Sequence, residues 1–155
     1  MKALFRPVIL AGLLASGSAL GMGDPAATEA KDPVLEKVTA ATKRADWAAA
    51  QGLLKDAVAA SPQNAGYHNL YAYSIRKGAN PDMNLVFKHY NEALRIDPKL
   101  KGAHEYIGEA YLMVGNVAKA KEHLAQLDKL CFFSCAEYTE LKKAIGAHEA
   151  KVAGR

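Results

Sequence analysis

The sequence predicts an all-α protein built as a stack of helical hairpins, and three observations carry that expectation. Runs rich in Ala, Leu, Lys and Glu, with only 12 Gly and 6 Pro in 155 residues, favour helix. Apolar residues recur at helical spacing along most of the chain. The stretch Phe87 to Phe133, FKHYNEALRIDPKLKGAHEYIGEAYLMVGNVAKAKEHLAQLDKLCFF, reads as the second helix of one helix–turn–helix unit followed by a complete copy of the next.

Ahead of the helices, residues 1–21 have the three parts of a secretory signal peptide: Lys2 and Arg6, an apolar run from Pro7 to Leu14, then small residues. Cleavage is expected near Ala19–Leu20–Gly21. A membrane-spanning helix needs roughly 20 continuous apolar residues. The run from Val8 to Met22 is shorter and is broken by Gly12, Ser16, Gly17 and Ser18, so no stable membrane span is expected after cleavage. The short signal looks bacterial, which makes the periplasm the expected location. Residues 22–30 read as a flexible leader. Beyond residue 21 the chain has 18 basic against 16 acidic residues, interleaved, which gives no footing for nucleic acid as a partner.

The helical domain is expected over 31–150. Asp32 before Pro33 is an N-cap and first-turn pair, followed by Val34, Leu35, Val38 and Ala41 at helical spacing. A second helix opens near Asp46 with Trp47, carries Ala50, Leu53, Leu54, Ala57 and Val58, and ends at Ser61–Pro62. The third holds Tyr67, Leu70, Tyr71, Tyr73 and Ile75; the turn after it, Lys77 to Met83, is about two residues longer than expected for such a unit. The fourth ends at Asp97–Pro98. The fifth and sixth helices flank a turn at Gly115–Asn116. A last helix is expected from Ala136 to about His148, opened by a Ser134–Glu137 capping box and striped by Tyr138, Leu141 and Ile145.

Gly108, Tyr111, Ala120, Leu124 and Leu127 in one unit, and Tyr90, Ala93, Leu94 and Pro98 in the one before, resemble the tetratricopeptide repeat (TPR) family. Its signature is a small residue, a Tyr, an Ala and a helix-ending Pro in a unit of about 34 residues. Asp46-Trp47-x-x-Ala50 and Ala57…Pro62 are similar to a second helix of that family. The resemblance implies a right-handed superhelical stack of three repeats, about 31–64, 65–100 and 101–134, with a capping helix over 135–150. Phe132 stands where the family has Pro. Stacking is the physical requirement, because one hairpin cannot bury enough apolar area alone.

The resemblance also implies a concave groove that takes peptides, lined by fixed places on each repeat's first helix. Those places hold Leu35, Thr39, Thr42 and Lys43, then Asn69, Tyr73, Arg76 and Lys77, then Glu105, Glu109, Leu112 and Met113. A Tyr beside Arg and Lys suits stacking and charge-assisted hydrogen bonds to a peptide. The carboxylate clamp of one subclass is absent, since its places carry Leu35, Thr39, Glu105 and Glu109. The expected role is a scaffold or adaptor binding a peptide or partner protein in the bacterial envelope, without catalysis and with no cofactor or metal.

Cys131 and Cys135 are the only cysteines, and in an exported chain they suggest a disulfide between the sixth and last helices. Closing so short a loop is worth about 2 kcal/mol in chain entropy. The alternative is a redox- or metal-linked accessory using the two thiols. Its motif is incomplete, because three residues separate the cysteines and no second ligand pair accompanies them. His104 is expected in the core with a satisfied hydrogen bond, while His89, His123 and His148 are expected on solvated faces. Glu105 and Glu109 read as solvated carboxylates one turn apart.

Overall fold

The computed structural model describes residues 32–133 and 135–154, and the signal and leader expectations fall outside that range. Among the described residues the chain forms seven helices: α1 (Pro33–Lys43), α2 (Trp47–Ala60), α3 (Ala65–Lys77), α4 (Met83–Ile96), α5 (Lys101–Met113), α6 (Val117–Leu130) and α7 (Ala136–Ala153). All belong to one compact unit. Consecutive helices pack as hairpins α1–α2, α3–α4 and α5–α6, and α7 lies against both α5 and α6. A direct α3–α5 contact joins the second and third hairpins along their first helices.

Local chemistry sets the helix starts. Asp32 Oδ1 accepts from the Val34 and Leu35 amides at 2.8 and 3.3 Å, with Pro33 in the first turn. Asp46, Asn64, Asp82 and Asn116 cap α2, α3, α4 and α6 in the same manner, each satisfying amides that the helix leaves unpaired. The α3–α4 turn spans residues 78–82, two longer than the turns over 44–46 and 114–116. In those two shorter turns the middle residue is left-handed, Ala45 at φ 55° and Gly115 at φ +75°. Only glycine takes that conformation without a Cβ clash.

The last helix starts at Ala136, as expected, and differs in its end. Cys135 is its N-cap and makes no side-chain cap bond, and the third helical residue is Tyr138. Ser134 itself lies outside the described residues. The Cys131–Cys135 disulfide, with Cα atoms 5.7 Å apart, ties the end of α6 to this start. The helix then runs to Ala153, past His148.

The core has two centres. Ala72, Ile75, Val86, Tyr90, Ile107 and Ala110 join α3, α4 and α5, and Leu112, Ala120, Leu127, Leu141 and Ile145 join α5, α6 and α7. Gly108 lets α7 approach: a Cβ there would lie 2.6 and 2.7 Å from the two methyl carbons of Leu141, whose side chain is fully buried.

Exchanging the same two residue types in opposite directions tests this account by urea unfolding. Gly108→Ala is expected to lose about 1–2 kcal/mol, because Leu141 has nowhere to move and overpacking outweighs helix propensity. Ala45→Gly is expected to gain roughly 0.5–1 kcal/mol, by relief of left-handed strain less the added freedom of the unfolded chain.

Candidate functional site: the face of the odd-numbered helices

The first helices of the hairpins share one face, and a cavity of about 300 Å³ opens on it. Val38, Thr39, Thr42 and Lys43 of α1 form one wall, Leu70 and Tyr73 of α3 the other, with Trp47 and Tyr106 between them. A larger depression, about 500 Å³, runs over Leu35, Glu36 and Ala40 and is lined by α1 and its cap alone. That is the flank of a single helix; the smaller cavity, walled by four helices, is the better cleft.

Aromatic rings make its floor. Trp47 meets Tyr73 edge-on at 5.8 Å between centroids, and Tyr73 lies 4.7 Å from Tyr106. Arg76 sits under both tyrosines, its guanidinium carbon 5.5 and 5.8 Å from their centroids. Arg76 is 8% exposed, donates from Nε to the Tyr90 hydroxyl at 3.3 Å, and places Nη2 2.7 Å from Glu109 Oε2. This last contact is an ion pair rather than an aligned hydrogen bond. Burial pushes the Tyr90 phenol far above its usual range, so it stays neutral.

The residues expected at the groove therefore divide. Thr39, Lys43 and Tyr73 come together in the cavity wall. Lys77 is exposed, with Nζ 5.9 Å over the Trp47 ring. Asn69 is 7% exposed, and its Oδ1 has no hydrogen-bond partner. Arg76 and Glu109 bind each other. Met113 ends α5, exposed and outside the cavity lining. Trp47, Leu70 and Tyr106 were not among the expected groove residues, although Tyr106 directly follows Glu105.

Glu105 is not a freely solvated carboxylate. It is half-buried, and its carboxyl is pushed up to about 7 by burial and by Glu109, Glu137 and Glu140, with only Arg76 opposing. Two of those carboxylates come from α7, which the groove places inherited from the repeat pattern did not include.

Behind this face, the histidines form two matched pairs. His68 Nε2 lies 3.1 Å from the Pro62 carbonyl and its Nδ1 2.8 Å from Nδ1 of His89. His104 repeats the arrangement with the Pro98 carbonyl at 3.0 Å and His123 Nδ1 at 3.0 Å. A carbonyl only accepts, so Nε2 of His68 and His104 carries the proton, and the partner ring donates from Nδ1. His104 is in the core with a satisfied hydrogen bond, as expected. His89 and His123 are paired across their hairpins rather than solvated, because their helices turn them toward the first helix of the same hairpin.

No protein-family model matches the sequence, and no curated protein does. Among solved structures, the chain is similar to the TPR2B domain of yeast Sti1, solved as a complex with pHsp70. The TM-score is 0.67 at 16% identity, covering 76% of this chain and 94% of that one. The chain has the tetratricopeptide-repeat fold. It is also similar to SycD, the type III secretion translocator chaperone of Yersinia enterocolitica, at TM-score 0.65 and 14% identity, covering 77% of this chain and 91% of that one. In this TPR fold, a right-handed superhelical stack, α3 meets α5 and α5 meets α7 along the side on which the cavity opens.

The His pairs predict an acid-sensitive stability. Burial, then the His104 neighbour, pulls His123 down from 6.5 to about 4, and burial likewise lowers His89. A His whose folded value is depressed contributes full stability above 6.5 and loses it as pH falls toward the folded value. Glu105 runs the other way, its raised value costing stability as pH rises through 7. Unfolding of wild type and His123→Gln, compared at each pH, isolates the His term. Wild type is expected to lose on the order of 1–2 kcal/mol more than the variant between pH 6.5 and 4, after discounting for the ring's partial exposure.

Proposed function

We propose that this chain is a protein-interaction module that holds an extended segment of a partner protein along its concave face, and does no catalysis. The observation that carries this reading is the aromatic-floored cavity between α1, α3 and α5. It offers an apolar slot for a side chain and a rim of exposed polar groups, Thr39, Lys43 and Lys77, for its backbone and charges. The similar Sti1 domain was solved as a complex with pHsp70, which supports a partner of this class without naming it.

We further propose that the module works in the bacterial envelope after export, its first 21 residues removed. The Cys131–Cys135 bridge supports this placement, because such bonds persist in oxidising compartments. In this reading the bridge is a staple between α6 and α7 and not a redox couple or a metal site.

Photo-crosslinking tests the assignment. A benzophenone amino acid at Thr39 in the cavity wall is expected to give discrete adducts in envelope extracts of the source cells. The same group at Lys55, exposed on α2, is expected to give none of these. Equal adducts from both positions, or none from Thr39, would refute binding on the concave face.

A further inference from the structure

The charges along the concave face are not evenly spread. Lys43 and Lys77 stand at the α1–α3 end, where Lys77 is held over Trp47. Glu105 stands on α5 with Glu109 on its own helix, and the first turns of α7, which packs against α5, carry Glu137 and Glu140 close enough to act on it. Arg76 from α3, the cation that acts on Glu105 among the described residues, is buried and already paired with Glu109. Four carboxylates thus share a single committed guanidinium, and the remaining negative charge lies next to the aromatic floor, because Glu105 and Tyr106 are adjacent.

A second observation comes from the same seam. Asn69 of α3 is buried with an unpartnered Oδ1, and its Nδ2 lies 3.5 Å from where a Cβ of Gly102 would be. Gly102 is one turn before Glu105 on α5. A buried acceptor without a donor is a cost that natural structures rarely carry unless something else supplies the donor. The carboxylates ask for a cation and the Asn69 oxygen for a hydrogen-bond donor, and a Lys or Arg side chain is both.

We propose that the segment bound on this face carries an aromatic or large aliphatic anchor with a Lys or Arg a few residues away. The anchor enters the cavity between Thr39, Tyr73 and Tyr106, and the cation sits against Glu105, Glu137 and Glu140. This rests on the concave-face reading above and names the chemistry of its partner. The cation would meet a carboxyl raised by burial and by its carboxylate neighbours, so binding expels the proton that Glu105 retains near neutrality and strengthens with rising pH. An acidic segment would face like charge at the same place and be rejected.

Selection of a random peptide display library on the purified protein tests this without a known partner. The enriched peptides are expected to pair a large apolar residue with Lys or Arg. A synthetic copy of the most enriched peptide should bind about tenfold more weakly to Glu105→Gln/Glu137→Gln/Glu140→Gln, and its gain in affinity from pH 6 to 8 should vanish there. Glu109 is left intact because it holds Arg76. Enriched peptides that are neutral or acidic, yet lose binding when Thr39→Trp fills the cavity, would overturn this inference and leave the groove reading standing. Enriched peptides indifferent to Thr39→Trp, or no enrichment at all, would overturn both.

Discussion

Arg76 is the point on which the middle of the stack depends. It leaves α3, reaches the Tyr90 hydroxyl on α4 and pairs with Glu109 on α5, all while shielded from water. A guanidinium taken from water costs several kcal/mol unless its charge and donors are met. The position of α5 against the second hairpin is therefore coupled to this one side chain. The tyrosines that form the groove floor stack over the same group, so floor and joint are a single construction. Arg76 acts as a strut beneath the proposed binding surface, whose chemistry passes to Tyr73, Tyr106 and Glu105.

The histidine pairs perform a similar task in the second and third hairpins. Each binds the first helix of a hairpin to its second helix and, through Nε2, to the proline carbonyl that closes the preceding hairpin. One polar network thus fixes both the angle within a hairpin and the step to the previous one. The third step has no such proline: Phe132 stands there and the disulfide does the fastening. Phe132 and Phe133 are left exposed on that corner, 95% and 82%.

Much of this architecture was legible in the sequence, and the parts that were not share a cause. The Asp32 cap, the helix start near Asp46, the turn at Gly115–Asn116, the long turn after Lys77 and the small residue at Gly108 follow from local rules, each needing only a few neighbours along the chain. The burial of Arg76 does not, because Tyr90 and Glu109 are 14 and 33 positions away and the residue's own helix face reads as polar. His89 and His123 looked solvated for the same reason: their partners lie 21 and 19 residues earlier on another helix. Glu105 looked ordinary until α7 brought Glu137 and Glu140 beside it. Repeat-place rules describe one helix at a time, while these groups meet their partners on other helices.

The proposed binding face is accordingly a built surface, with a slot, a cationic end and an acidic end set by the helices beneath. Amide-proton shift mapping of the labelled protein, as a library-selected peptide is added, tests this most directly. The account predicts changes concentrated at Thr39, Tyr73, Glu105 and Tyr106, with the outward faces of α2, α4 and α6 unmoved. Changes confined to those outward faces, or to the Cys131–Cys135 corner, would contradict it.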